Sequence, residues 1–360
     1  MGALTNIYVD PAIAANSGTG TSVDPYGDLQ YALNTATRDA TNGDQFNVKA
    51  GTDEILAATL SFATYGTPTA AAPCIIRGYT AAANDGGIGG ISGAATYSIL
   101  NGTTDVSFFD MHLHNSGAAA VLVMGTNGCV FDCEINNTTG NGITCGTRTV
   151  VGNCHIHNCG AIGIQDVTFL AYNNVLKNGA SSFTVGIRVS TGGVAIGNIV
   201  VVNADGITTT GNGCMVMNNS IYSPASGTGR GIFIDANQSS CLNNLVQGFS
   251  GAGGYGIRGG SGRQFFIHGN NAVYNCATAY SLVSDINFDL GDNETLGASP
   301  FVNAGGDDFT PVNTGNVYAG AWSTSFPGIS LATYRDKGAV QHTVVSTGGG
   351  RRSRGRYHGV

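Results

Sequence analysis

Charge and proline are both scarce in this sequence. Lys, Arg, Asp and Glu together make up 10% of the 360 residues, and proline occurs only 8 times. Disordered chains, coiled coils and long-helix proteins need more charge, more helix-forming residues or both, so the composition argues against all three classes. Since 42% of the residues are hydrophobic, the chain can bury a sizeable core.

Long apolar segments and cysteine pairs are also missing. No apolar run approaches the roughly 18 residues of a membrane span, and the first residues, MGALTNIYVD, have neither the basic nor the apolar region of a secretory signal. We therefore expect that the protein is made in a cytoplasm and does not associate with a membrane.

The nine cysteines are an odd number without a CxxC pair, which argues against a complete disulfide framework and a zinc ribbon. We expect them to be buried free thiols.

What the sequence does contain is a repeat of about 23 residues, in a chain with 56 glycines. Each copy starts at an Asp or Asn anchor and has an apolar residue three positions later, and six of the eight copies have an Asn at the fifth position. A Gly-Ile pair follows in six copies, first at 142–143 and last at 256–257. The eight anchors are Asp110, Asp132, Asn153, Asn173, Asn198, Asn218, Asn243 and Asn270.

This repeat predicts a parallel β-helix. One copy holds short strands separated by turns and is too small to bury an apolar face alone, whereas stacked copies pair every backbone with its neighbours around one core. An Asn at a bend can adopt the left-handed backbone conformation and hydrogen-bond its equivalents in the copies above and below. We expect the glycine before each isoleucine to serve a turn with positive φ.

Segments at both ends of the chain add to the repeat. They are YVDP at 8–11, PYGDLQYAL at 25–33 and GDQFNVKAG at 43–51, with SPFVN at 299–303 and DKGAVQ at 336–341 near the other end. With these segments as its N-terminal cap and closing region, the chain resembles proteins of the pectate-lyase-like superfamily. The resemblance implies an all-β fold: a single right-handed parallel β-helix, or solenoid, with a short N-terminal capping helix.

The predicted organisation has four parts. Residues 1–75 form the N-terminal cap and first coils, with apolar residues at helical spacing in a short helix at about 27–38. Residues 76–290 form the body of the β-helix, and residues 291–342 form the C-terminal closing segment. A glycine-rich linker and a basic tail occupy residues 343–360.

One candidate site lies on an outer face of the repeat. Since the third residue after each anchor points inward, the second and fourth share the outer face, where four of the seven histidines surround Glu134. A Glu among imidazoles could act as a general acid or base or belong to a zinc-type site, while a polar surface or a pH-sensitive subunit contact explains the same pattern. The candidate catalytic residues are His112, His114, Glu134, His155, His157 and Lys177.

A second candidate surface follows the Gly-Ile column. Arginines beside carboxylates would suit the binding of acidic sugars, because the guanidinium group is a forked donor, but solvated edge residues explain the pattern too. The residues of this candidate ligand-binding face are Arg188, Arg258, Asp166, Asp205 and Asp235.

The family's own catalytic signatures do not carry over to this chain. Its lyases use clustered aspartates for calcium together with a basic residue, and the coils of this sequence contain no run of adjacent aspartates. Among the polygalacturonase signatures, only Asp307-Asp308 matches, and that pair lies outside the repeats. We therefore predict no cofactor and leave any metal undefined.

The last ten residues contain four arginines and no acid, which leaves the remainder of the chain with 11 basic and 22 acidic residues. Such a tail is either a disordered solubilising segment or a peptide that anchors the protein to an acidic partner, such as a capsid or tail protein. The acidic body argues against nucleic acid, because it would repel phosphate. The candidate anchoring residues are Arg351, Arg352, Arg354, Arg356 and Tyr357.

Three functions are compatible with these observations. The favoured one is a structural, non-enzymatic bacteriophage virion protein, such as a capsid decoration, cement or tail-associated protein, made in the host cytoplasm and found in the virion. The first alternative is a polysaccharide lyase or glycoside hydrolase acting on acidic glycans. The second is an extracellular adhesin that binds a surface polysaccharide without cleaving it. The resemblance also implies a homo-oligomer, most simply a trimer.

Overall fold

The computed structural model describes residues 3–117, 119–177, 183–282, 286–312 and 338–339. Their strands form three long parallel sheets, and two further strands pair as an antiparallel hairpin. None of the helices in these ranges is long and apolar enough to cross a membrane.

Sheet 1 has twelve strands, each paired in parallel with its equivalent in the next coil. The strands are Thr5–Val9, Asp44–Lys49, Cys74–Tyr79, Val106–Phe109, Cys129–Phe131, Val150–Gly152, Leu170–Tyr172, Val194–Ile196, Met215–Met217, Ser240–Leu242, Gln264–Gly269 and Ile286–Asp289.

Sheet 2 has eleven strands and follows sheet 1 in each coil. The strands are Asp53–Ile55, Gly89–Ser92, Met111–Ser116, Glu134–Thr138, His155–Cys159, Val175–Lys177, Ile199–Val201, Ser220–Tyr222, Leu245–Gln247, Ala272–Tyr274 and Glu294–Thr295.

Sheet 3 has nine strands and completes the nine coils whose sheet 1 strands run from Cys74–Tyr79 to Gln264–Gly269. The strands are Leu100–Asn101, Ala120–Val123, Asn141–Thr144, Ile162–Val167, Val185–Val189, Asp205–Thr209, Arg230–Ile234, Tyr255–Gly259 and Thr278–Leu282. From the strand Cys74–Tyr79 onwards, successive strands belong to sheets 1, 2 and 3 in turn, so the chain is a parallel β-helix, as the repeat predicted. Its right hand, which the resemblance implied, is the one that connections between parallel strands of the same sheet adopt.

The predicted anchors lie at the bend between sheets 1 and 2, in the left-handed backbone conformation. Asp110, for example, has φ +54° and Asn173 has φ +52°. One anchor was wrong by a residue: Gly197, with φ +69°, occupies the bend, and Asn198 is the next residue. The inward residue of that coil is accordingly Val200, which pairs with Leu176, rather than Val201.

Asparagines one position after the anchor form a continuous hydrogen-bonded ladder inside the bend. In each step, the backbone N–H and the Nδ2 group of one Asn both donate to Oδ1 of the next, at about 3.0 Å. The earlier coils carry Met111, Cys133 and Cys154 in this column instead, all buried. The ladder consists of Asn174, Asn198, Asn219, Asn244, Asn271 and Asn293.

The core runs along the axis of the β-helix. The inward residues of sheet 2, such as Leu113 and Ile135, and the isoleucines of the Gly-Ile column, such as Ile143, are fully buried. Burying each such side chain stabilises the fold by about 1.5–3 kcal/mol. The nine cysteines are free thiols, and seven of them are buried, which confirms their expected role as core residues.

The glycines of the Gly-Ile column do not serve turns with positive φ, so that prediction was wrong. They lie within the strands of sheet 3, and their φ values are not positive. A Cβ on Gly231 would lie 2.2 Å from Cγ1 of Val246, and one on Gly186 would lie 2.4 Å from Cγ1 of Val200. These positions lack a side chain because the inward residues of sheet 2 fill the space.

The N-terminal helix spans Leu29–Thr35, within the predicted range. The Asp28 side chain caps its first turn by accepting a hydrogen bond from the N–H of Tyr31. Leu29 and Leu33 are buried in the same cluster as Phe46, at the N-terminal end of the core. The helix therefore covers an end that would otherwise expose apolar side chains.

The C-terminal hairpin, Phe301–Asn303 and Asp308–Pro311, is joined by a 3₁₀ turn at Ala304–Gly306. Phe301 and Phe309 pack against Ile199 and Leu245, on the outer face of sheet 2. The hairpin therefore covers an apolar stretch of that face. The predicted boundaries of the four parts remain predictions. Residues 313–337 and 340–342 of the closing segment, the linker and the whole basic tail lie outside the described residues.

Candidate functional site

The histidine-rich face lies on sheet 2, with its side chains in the predicted columns. In the first column, Glu134 pairs with His112 on one side and with His155 on the other. In the second column, Asn136 pairs with His114 and His157 in the same way. Lys177 follows His157 in that second column. Three neighbouring coils thus present a two-by-three array of polar side chains.

The centre of this array is a hydrogen-bonded network around Glu134. The Oε1 atom of Glu134 lies 3.0 Å from Nε2 of His157 and accepts a hydrogen bond from Nδ2 of Asn136 at 3.0 Å. Nδ2 of Asn136 also contacts Nε2 of His112 at 3.2 Å. The Glu134 side chain remains 43% exposed. It is therefore held in a defined orientation yet stays open to solvent.

The four imidazoles stack in pairs along their strands. The ring centroids of His112 and His114 lie 4.2 Å apart, and those of His155 and His157 lie 4.6 Å apart. Both nitrogens of the His157 ring have partners, since Nδ1 lies 3.1 Å from Nδ2 of Asn158. The ring of His155, in contrast, makes no hydrogen bond with any described residue. Its ring therefore remains available to a ligand.

The surroundings shift the pKa values of this face. Burial, together with the neighbouring His157, lowers the pKa of His155, and burial with His114 does the same for His112. Burial works against the ionisation of Glu134, but the hydrogen bond from His157 and the nearby imidazoles outweigh it and lower its pKa. At neutral pH the face therefore combines the carboxylate of Glu134 with neutral imidazoles at His112 and His155, which can accept a proton.

The C-terminal hairpin bounds one end of the face. Nζ of Lys177 forms an ion pair with the carboxylate of Asp307, which lies at the turn of the hairpin. Beside this pair, Ile199 and residues 306–310 line an open cavity of about 310 Å³. The Asp307-Asp308 pair is not a hydrolase signature here, since Asp307 holds the hairpin beside the histidine-rich face.

The opposite end of the face carries a carboxylate that sequence reasoning missed. Oδ2 of Asp53 lies 2.8 Å from Nε2 of His114, although another strand of sheet 2 separates the two residues. That strand presents Gly90 at this point, and a Cβ there would lie 1.8 Å from Oδ1 of Asp53. The Asp53 strand precedes the repeat, so no column of the alignment contained it.

The second predicted surface, on the outside of sheet 3, consists largely of internal ion pairs. All three of its aspartates are paired with arginines of the next coil, at N–O distances of about 3.0 Å or less. The pairs are Arg188–Asp166, Arg230–Asp205 and Arg263–Asp235.

Arg258 forms no ion pair within the described ranges. Its guanidinium carbon lies 4.7 Å from the ring centroid of Tyr255 and 5.8 Å from that of Phe233. The carboxylate of Asp235 pairs with Arg263 instead, and the assignment of this face to ligand binding stays a prediction. These contacts satisfy the charges of the surface within the protein, which favours the interpretation as solvated, structural residues.

No family model matches this chain, and neither does any curated protein. Among solved structures, pectate lyase Pel9A is 12% identical, with 94% of this chain and 98% of that chain covered and a TM-score of 0.49. An alginate lyase from a Paenibacillus species is 16% identical, covering 76% and 95%, with a TM-score of 0.44. A lacto-N-biosidase from Eubacterium ramulus is 12% identical, covering 80% and 67%, with a TM-score of 0.46.

The predicted parallel β-helix is confirmed by the three stacked parallel sheets of this chain. The substrate of each of these enzymes is a property of that enzyme and is not transferred to this chain. Sites on such a fold have to be argued from their own side chains, because one fold supports many functions.

Proposed function

We propose that the protein binds a polysaccharide across the outer face of sheet 2 and cleaves it by proton transfer, as a polysaccharide lyase or glycoside hydrolase. The observation that carries this proposal is the open imidazole of His155, stacked on His157 beside the oriented carboxylate of Glu134. An acid–base catalyst needs a proton acceptor that reaches the substrate and a second group that holds it in place.

The roles follow from the contacts. His155 is neutral and has a free ring, so it takes a proton from the substrate or from water and returns it to the leaving oxygen. Glu134 stabilises the imidazolium that forms, since it lies in the neighbouring position of the same column. His157 and Asn136 are positioning residues, because their side chains bind Oε1 of Glu134 and are not directed at the substrate.

The substrate class follows from the cation at the edge of the site. Lys177 lies one coil beyond His157 and supplies a positive charge beside the array. A glycan carrying carboxylates would compete with Asp307 for that ammonium group. We therefore infer an acidic polysaccharide as the substrate, bound along the face between the hairpin and Asp53.

The test compares His155→Gln with Arg258→Gln on a panel of acidic polysaccharides, following new reducing ends and unsaturated products. General acid–base catalysis contributes about 10²–10⁴-fold, so the His155 variant should lose at least about 100-fold in rate. The Arg258 variant alters the other surface and should retain the wild-type rate. No cleavage by the wild-type protein across the panel would refute the proposal, and so would equal loss in both variants.

The second candidate is a structural role in a virion, as a decoration, cement or tail-associated protein. It is favoured by the four arginines among the last ten residues, set against an acidic body in which Arg188, Arg230 and Arg263 are already paired with aspartates. In this proposal the tail attaches the protein, most simply as a trimer, to an acidic surface of the particle. Deleting residues 348–360 should release it from the particle, and unchanged attachment would refute that role for the tail.

A further inference from the structure

We infer that Asp53, His112 and His114 form a binding site for one divalent transition-metal ion of the zinc class. Nothing in the proposed cleavage uses these three residues, so the inference goes beyond that function. One nitrogen from each imidazole and one oxygen of the carboxylate lie within 4.8 Å of one another. Small rotations of these side chains would bring all three atoms onto a single ion.

The first supporting observation is the spacing of the two histidines. His112 and His114 are two residues apart on one strand of sheet 2, so their side chains leave the same face. Their rings lie nearly parallel, with an interplanar angle of 6° and centroids 4.2 Å apart. Two imidazoles presented together by a rigid strand provide two ligands at little cost in side-chain entropy.

The second observation is the path of Asp53 to these rings. Its strand and that of the histidines are both neighbours of the strand Gly89–Ser92, about 4.8 Å away on either side. Asp53 spans this gap because Gly90 has no side chain, and its Oδ2 reaches Nε2 of His114 at 2.8 Å. Gly90 therefore creates the space in which the carboxylate and the imidazoles meet.

The donor set determines the class of ion. Two imidazole nitrogens and one carboxylate oxygen suit Zn²⁺ and its neighbours in the transition series, whereas Ca²⁺ and Mg²⁺ prefer oxygen ligands alone. Three protein ligands leave a fourth position of the tetrahedron for water or for a group of the substrate. Nδ2 of Asn136 lies 3.2 Å from Nε2 of His112 and donates to it, which holds the ring in place in the absence of an ion.

The neighbouring cluster of Glu134, His155 and His157 also brings its ligand atoms within 4.8 Å. There, however, the His157 ring is engaged at both nitrogens, by Glu134 and by Asn158. A metal would have to displace one of these contacts. In the first cluster, the metal replaces the contact between Asp53 and His114, which are both ligands, and an ion bound at Nε2 of His112 would also replace the single contact of that nitrogen with Asn136.

The experiment measures Zn²⁺ binding to the full chain by titration calorimetry, together with the visible absorption of Co²⁺ as a report of coordination. The wild-type protein should bind one ion at this site with micromolar or tighter affinity. Asp53→Asn should weaken that binding by at least about 10–100-fold, because it removes a charged ligand. Gly90→Ala should weaken it as well, because the added Cβ occupies the path of the Asp53 carboxylate.

Two matched variants make the test decisive. Glu134→Gln removes the carboxylate of the neighbouring cluster, and Asp235→Asn removes one on sheet 3, so both should keep the ion. Thermal unfolding verifies that Asp53→Asn, a change at an exposed side chain, leaves the fold intact. Absence of Zn²⁺ binding to the wild-type protein would overturn the inference, and so would binding lost in Glu134→Gln but kept in Asp53→Asn.

Discussion

The asparagine ladder should make a single buried amide unusually important, and Asn219→Ala tests this. Oδ1 of Asn219 accepts hydrogen bonds from both the backbone N–H and Nδ2 of Asn198. Its own Nδ2 donates to the carbonyl of Ala195 at 3.0 Å and to Oδ1 of Asn244 at 3.0 Å. All these groups lie inside the bend between sheets 1 and 2, without access to water.

The magnitude follows from which groups lose their partners. Among the described residues, the backbone N–H of Asn198 has no acceptor other than Asn219, and a buried donor left unsatisfied costs about 1–3 kcal/mol. The two hydrogens on Nδ2 of Asn219 are shared among the carbonyls of Ala195 and Met217 and Oδ1 of Asn244, and the bonds of each hydrogen are worth about 1 kcal/mol net. Asn219→Ala should therefore lower the free energy of unfolding by about 3–5 kcal/mol.

Thermal and urea unfolding measure this change, with Asn101→Ala as the control, since Asn101 is an exposed asparagine on a strand of sheet 3. The control should stay within about 0.5 kcal/mol of the wild type. Asn219→Asp keeps the shape but cannot donate, and its charge would be buried, so it should be at least as destabilised as the alanine variant. A loss below 1 kcal/mol in Asn219→Ala would refute the reasoning.

Three further changes test other parts of the structure. Gly231→Ala places a Cβ 2.2 Å from Cγ1 of Val246, so its melting temperature should fall clearly, while Gly297→Ala, with open space around it, should melt as the wild type does. The pKa of Asp39 is lowered to about 2 by hydrogen bonds from backbone and side-chain groups. Its contribution to stability should therefore be complete above about pH 4 and disappear as the pH falls towards 2, and Asp39→Ala should flatten that part of the acid-unfolding curve. Phe309→Ala should loosen the C-terminal hairpin, so that limited proteolysis cuts it faster while the β-helix still melts at its usual temperature.

Much of the fold was predictable because a solenoid repeats its local interactions. The bend needs a left-handed residue in every coil, so Asp or Asn recurs there, and the column of inward residues three positions later follows from strand alternation. The error at Asn198 has the same origin. Gly197 adopts that conformation just as readily, so a search for Asp and Asn passed over it.

The glycines before the isoleucines show where a residue type alone misleads. Glycine recurs both where φ must be positive and where no Cβ fits. Because both requirements select the same residue, the sequence does not distinguish them. Only the position of Val246 relative to Gly231 reveals that the second cause applies in sheet 3.

The candidate site also has a part that the sequence predicted and a part that only the structure showed. The sequence by itself determined the columns of His112, Glu134 and His155, because equivalent positions of a repeat stack at a constant spacing. Only the tertiary structure decided that Asp53 joins them and that Asp307 bounds them, because these residues lie outside the repeat. The periodicity of the repeat does not indicate where the segments before and after it pack on the outer face of the β-helix. That return depends on packing, including the space left above Gly90 and the apolar face that the hairpin covers.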